Sequence, residues 1–192
     1  MHQHGGAGDR INSYALVSYV PGRLGAFLDR VRRELVSTCV AQSHITILPP
    51  RAVFAPETAV SRQLQTDLDA FSKFSVHLTD VKVFTSTSVV YLGVGLGRDR
   101  LIEMHAALNH GSLASEEQFA FHPHVTLAQG LSPEVVDRVA DRAAQRWAEF
   151  EGPRHFDVDR LTFVQNTVHD CWVDLETFTL ADLKLAALER AS

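Results

Sequence analysis

Two cysteines, Cys39 and Cys171, are all that this chain of 192 residues contains. That is too few for a disulfide framework, and a reducing cytoplasm is the expected setting. No uninterrupted apolar stretch approaches the roughly 20 residues that a membrane span needs, so no membrane partner is expected. No run of five Lys or Arg occurs, and the net charge is −5 with histidine neutral. A long nucleic-acid duplex is therefore not expected as a partner, because affinity for it comes from many basic phosphate contacts. A short anionic ligand stays open, since a few local donors suffice for it. The opening "MHQHGGAGDR" is polar and glycine-rich with no apolar core of a leader peptide. Residues 1–10 are expected to form a flexible tail whose histidines carry no function, ahead of one domain over 11–192. Hydrophobic residues make up 45% and charged ones 21%, the balance of a soluble globular protein long enough to bury a proper core.

Within that ordinary composition one pattern stands out. "QSHITILPP" places His44 and Thr46 one residue apart in an apolar run, and "FHPHVTLAQG" repeats the arrangement at His124 and Thr126. Side chains alternate across a strand, so His44 and Thr46 share one face and Ile45 and Ile47 the other. His124 and Thr126 likewise lie opposite Val125 and Leu127. Each segment reads as a strand that buries one face and offers an imidazole and a hydroxyl on the other. A third match, His77-Leu78-Thr79, fails at its fourth position, where Asp80 replaces an apolar residue; it reads as a strand end reaching solvent.

The surroundings of the two motifs also repeat. Ile11 to Val20 reads as a strand stopped by Pro21-Gly22, and Leu24, Phe27, Leu28, Val31 and Leu35 have helical spacing. The first motif strand is expected to end at Pro49-Pro50. Pro56 and Glu57 open a helix with Val60, Leu64, Leu68 and Phe71 on one stripe, and "FSVHLTDVKVF" and "TSVVYLGVGL" form a strand pair. A helix over 99–110 turns Leu101, Ile102 and Leu108 inward, and the second motif follows. Ser132-Pro133 then starts a helix to about Phe150, with serine as N-cap and proline at N1. "RHFDVDRLTFVQ" and "CWVDLETFTL" make a last strand pair before a short Leu/Ala-rich helix. The order is a cryptic duplication, with motifs at positions 44 and 124, 80 apart. Two similar halves packed about a pseudo-twofold axis would bring both His-Thr faces to one cleft.

With these two motifs and this element order, the chain resembles the 2H phosphoesterase superfamily, named for its paired His-x-Thr/Ser-x motifs. Bacterial 2′-5′ RNA ligases and RNA cyclic phosphodiesterases are among its members. The resemblance runs from about Ile11 onward and includes the proline in "HPHVTLA". It implies an α+β fold of two pseudo-twofold-related lobes, each an antiparallel-rich sheet with helices on its outer face, around a central cleft. It also implies a catalytic quartet of His44, Thr46, His124 and Thr126. The chain departs from many ligase-like members in carrying Gln129 where they have an arginine after the second motif.

The reaction the resemblance implies is hydrolysis of a 2′,3′-cyclic phosphodiester on a small nucleotide or an RNA end. Water attacks phosphorus in line with the departing ribose oxygen, so a base is needed on one side and an acid on the other. Histidine, with an ordinary pKa of about 6.5, can take either role near neutrality. The threonine hydroxyls can donate to the non-bridging oxygens. The expected order has His124 activating water and His44 protonating the leaving oxygen, with no metal or other cofactor. Arg51 is a candidate phosphate contact, and Tyr91, Phe121 and Phe163, with Phe84, are candidates for stacking on a base. His122 shares the strand face of His124. A monomer is expected.

Three rival readings remain open. A metal hydrolase would use some of the ten histidines, but zinc needs three or four convergent ligands and only His122 and His124 are close in sequence. A non-catalytic nucleotide or RNA-end binding module would have no use for two proton-transfer groups. A 2′-5′ phosphodiesterase or RNA ligase would employ the same four residues.

Overall fold

The computed structural model describes residues 9–36 and 41–182. Residues 1–8 of the tail expected over 1–10, Cys39 and the closing Leu/Ala helix lie outside the described residues, whereas Arg10, expected in that tail, already belongs to the first strand. The elements run β1 (Arg10–Tyr19), α1 (Gly22–Leu35), β2 (His44–Arg51), α2 (Glu57–Leu68), β3 (Phe74–Phe84), β4 (Val89–Val94), α3 (Arg98–Leu108), β5 (His124–Ala128), α4 (Pro133–Ala148), β6 (His155–Val158), β7 (Arg160–Thr167) and β8 (Trp172–Thr179). The eight strands form one antiparallel sheet in the order β6-β3-β4-β5-β2-β1-β7-β8. None of the described helices is long and apolar enough to cross a membrane.

All four helices bury their apolar stripes on the same face of the sheet. Leu24, Leu28 and Val31 of α1, Val60 and Leu64 of α2, Leu101 and Met104 of α3 and Trp147 of α4 join Ile45, Ile47, Val125 and Leu127 in one core. Met104 and His105 take inward positions on α3, whereas Ile102 is only half-buried. The other face of the sheet carries a small cluster of Ala15, Val17 and Val164, edged by Tyr19 and Trp172.

The fold is α+β, and the duplication is visible in it with a different boundary from the one the sequence order implies. The repeating unit is strand-helix-motif strand-helix-strand: β1-α1-β2-α2-β3, then β4-α3-β5-α4-β7. In the sheet order, a twofold between β5 and β2 relates β4 to β1 and β3 to β7. Each unit therefore gives its last strand to the other half. The segment expected as one strand over 154–165 is two, because Asp159 breaks it. β6 pairs with β3 at one edge while β7 pairs with β1 and β8 near the other. One intervening residue can join them only if the sheet curls until its ends approach. The Leu180 N–H donation to the Asp159 carbonyl and the Ser72–Ala181 bridge tie those ends together.

β2 also runs past its expected stop, through Pro49 and Pro50 to Arg51. Two facts permit this. The pairing with β1 slips between Leu16↔Leu48 and Tyr14↔Arg51, a bulge at the prolines, and β5 pairs with β2 only at Ile45. The prolines therefore withhold N–H groups that no neighbouring strand requires.

Candidate active site

The two motifs occupy equivalent strands. Positions 43–48 and 123–128 share one burial sequence, with His44, Thr46, His124 and Thr126 half-buried and the residues between them buried. β2 meets β5 at the single pair Ile45↔Val125. In an antiparallel ladder that register sets His44 opposite Thr126 and Thr46 opposite His124, all on the helix-free face. The two imidazoles sit on a diagonal, with Cα atoms about 7–8 Å apart by sheet geometry.

Each ring is oriented by its own backbone. His44 Nδ1 lies 2.6 Å from the Gln42 carbonyl, and His124 Nδ1 lies 2.7 Å from the His122 carbonyl. A carbonyl only accepts, so Nδ1 carries the proton in both rings and Nε2 is left for chemistry. Burial holds both imidazoles below the ordinary histidine range, His44 down to about 4. The charges of Arg32 and His124 push His44 down further, against the Gln42 carbonyl and Asp29, which favour its proton. For His124 the opposing contributions are the His122 carbonyl, which favours protonation, and the His122 ring.

Helix α1 touches both motifs from beneath. Ser43 N–H donates to Asp29 Oδ1 at 2.7 Å, and Arg32 Nη1 donates to the Thr126 carbonyl at 2.6 Å. The flanking strands differ between the halves. Beside His44, Tyr19 stands edge-on at 6.2 Å and donates its hydroxyl to Asp174 Oδ1 at 2.6 Å. Burial and the Asp174 carboxylate hold the Tyr19 phenol well above its ordinary range. Beside His124, the rings of Phe84 and Tyr91 stand edge-on at 5.1 and 5.3 Å and stack on each other at 3.9 Å. Exposed Lys82 pairs opposite Tyr91. Gly93, opposite His124, leaves room for the β3 side chains: a Cβ there would lie 2.8 Å from Thr79 Oγ1.

Of the sequence candidates, the structure brings together His44, Thr46, His124, Thr126, Tyr91 and Phe84. It places three others elsewhere. Arg51 is 5% exposed and fully engaged, donating to the Pro49 and Leu113 carbonyls, Asn109 Oδ1 and Glu117 Oε1. It fastens the segment before the second motif to β2. Phe163 is 1% exposed in the core and stacks on Tyr14. Phe121 stacks at 3.9 Å on buried His105, whose Nδ1 meets the Ile47 carbonyl. His122 serves His124 through its carbonyl, while its ring stands edge-on to Phe84 and Tyr91. His77 lies in the middle of β3, exposed, and not at a strand end. Sequence reasoning missed Tyr19, Asp29, Arg32 and Lys82. For Arg32 a usable sign existed: with Val31 and Leu28 it lies on the inward stripe of α1, an uncommon place for a cation. Among the described residues, no group of three or more His, Cys, Asp or Glu side chains is placed to hold a metal ion.

Residues 21–170 match the family model of the 2′-5′ RNA ligase superfamily. A Staphylococcus aureus (strain Newman) protein, whose name marks phosphoesterase activity as inferred, is 29% identical over 142 residues, 72% of this chain and 80% of the relative. The fold is shared with E. coli LigT solved with 3′-AMP, at TM-score 0.60, 17% identity, and coverage of 90% of this chain and 98% of that one. It is also shared with Kluyveromyces marxianus Usb1 solved with uridine monophosphate, at TM-score 0.51, 15% identity, and coverage of 85% and 97%. With the family model spanning both motifs, the chain belongs to the 2′-5′ RNA ligase superfamily of 2H phosphoesterases.

Proposed function

We propose that this protein is a metal-independent phosphodiesterase that opens 2′,3′-cyclic phosphodiesters of nucleotides or RNA ends to 2′-phosphates. The observation that carries the reading is the pair of imidazoles on one helix-free face, each with Nδ1 fixed by a carbonyl and Nε2 left for proton transfer. That two relatives of the same fold were solved with 3′-AMP and uridine monophosphate supports a nucleotide ligand.

The electrostatics favour the reverse of the order expected from sequence. His44 is the more strongly depressed, with the Arg32 cation beneath it, and is suited to act as the neutral base. His124 lacks that cation among its influences and accepts a proton more readily, which suits it to be the acid. In the step itself, His44 Nε2 takes a proton from water as its oxygen bonds to phosphorus. The P–O3′ bond breaks, and the 3′ oxygen takes the proton held on His124 Nε2. The Thr46 and Thr126 hydroxyls, across from the opposite histidine, donate to the non-bridging oxygens where charge gathers. Phe84, stacked on Tyr91, supplies an aromatic surface for a base, and Lys82 a cation for a neighbouring phosphate.

The test is turnover of 2′,3′-cyclic mononucleotides and cyclic-phosphate RNA ends, with the product phosphate located by phosphorus NMR. Activity that survives chelators is expected. The kcat/KM profile of the free enzyme should be a bell on the acid side of neutrality: it falls below about pH 4 as His44 gains a proton and falls again, below the ordinary histidine range, as His124 loses one. The family description favours one alternative, action on 2′-5′ linkages or the joining of RNA ends. Inclusion of 2′-5′ dinucleotides in the same panel separates the two. No turnover of any member sinks both.

A further inference from the structure

We propose that Asp29 and Arg32 are positioning residues: from one turn of α1 they hold the two motif strands in register across the seam on which the site is built. The proposal rests on the reading above for its catalytic consequence, not for its structural content.

The seam is thin. β2 and β5 share one residue pair, Ile45↔Val125, whereas β4 and β5 share four and β1 and β2 share five. A slip there would carry a His-Thr pair off the shared face, because one residue of register reverses every side chain. One ladder pair is weak insurance. Helix α1 packs across β5 and reaches both strands with residues three apart, hence on one helical face. Asp29 accepts from the N–H of Ser43, the fully buried residue directly before His44. Arg32, itself 4% exposed, donates to the carbonyl of Thr126 inside the second motif. A buried backbone carbonyl must find a donor, and a charged one binds it strongly.

The same two groups act on His44 with opposite signs. Its charged and titratable neighbours are Asp29 and Arg32 from α1, His124 from β5, and Tyr19 from β1, whose hydroxyl is tied to Asp174 of β8. Asp29 favours a proton on His44 and Arg32 opposes it.

This sign difference supplies the test. Side-chain nitrogen NMR of the full chain, without ligand, follows His44 and His124 separately through a pH titration. Arg32→Met should raise the His44 midpoint; Asp29→Asn, which keeps an acceptor for Ser43, should lower it. Mere loosening would hydrate the ring and raise the midpoint in both variants, so shifts of one sign, or none, overturn the proposal. Amide exchange at Ile45 and Val125 should quicken in Asp29→Ala and Arg32→Met, and unchanged exchange overturns it equally. Should Arg32→Met fail to fold, Arg32→Lys keeps the charge and loses the fork. Its His44 midpoint should stay in place while turnover of a 2′,3′-cyclic nucleotide drops about tenfold; undiminished turnover speaks against positioning. A wild-type protein with no turnover sinks the functional reading alone, because the titration and exchange need no substrate.

Discussion

The halves around His44 and His124 share a backbone and differ in nearly everything that touches it. Both rings hang from the carbonyl two residues upstream, and both motifs alternate between half-buried and buried positions in step. Around His44 stand a buried cation, a carboxylate below, and a tyrosine tied to Asp174. Around His124 stand stacked aromatics, a second histidine and an exposed lysine. Duplication supplies two like imidazoles, but acid–base work needs unlike ones. The difference lies wholly in the neighbours, which is where a proton affinity is set.

The comparison can be broken most directly at the imidazoles. Alanine at His44 or at His124 should each lower turnover of a cyclic nucleotide by about 10²- to 10⁴-fold with the fold intact. An aryl phosphodiester, whose leaving group needs no proton, sharpens the point: His124→Ala should lose less on it than His44→Ala. Equal losses would show that the roles are not divided as proposed. Next in size is a change outside the site. Arg51→Met removes the buried donor shared by the Pro49 and Leu113 carbonyls, Asn109 and half-buried Glu117, and should cost about 3 kcal/mol of stability in denaturant unfolding, with activity per folded molecule preserved.

A third effect appears in stability against pH. His44 falls to about 4 in the folded chain, so the unfolded chain binds more protons between the ordinary value of about 6.5 and that point. The stabilising contribution is present above the upper limit and is lost as the pH falls through the window. His44→Gln should flatten this slope more than His124→Gln does. The smallest effect is expected at Phe84. Its alanine variant should raise KM for a nucleotide about tenfold and leave kcat nearly unchanged, while Trp172→Ala in the other half should not.

Most of the local structure was legible from the sequence. Period-two alternation at His44–Ile47 and His124–Leu127 reveals which faces are buried, because burial alone dictates that pattern. Ser132-Pro133 marks the start of α4 and Pro21-Gly22 the stop of β1. What stayed hidden depends on pairing across distance. No residue at Asp159 announces that β6 and β7 go to opposite sides of the sheet. Pro49-Pro50 reads as a stop until the bulge and the missing β5 partner are known. Arg51 and Phe163 were plausible site groups by type, yet Glu117 and Tyr14, which claim them, are 66 and 149 positions away.

The exchange of β3 and β7 means that neither repeat encodes a self-sufficient body. A cut in the turn after Phe84 would yield one piece owning β1 and β2 without β7 to flank them, and another owning β4 and β5 without β3. Each fragment would expose raw edges that only its counterpart can cover. Complementation by mixing, and not activity in either piece by itself, is how such a severed protein would return to life.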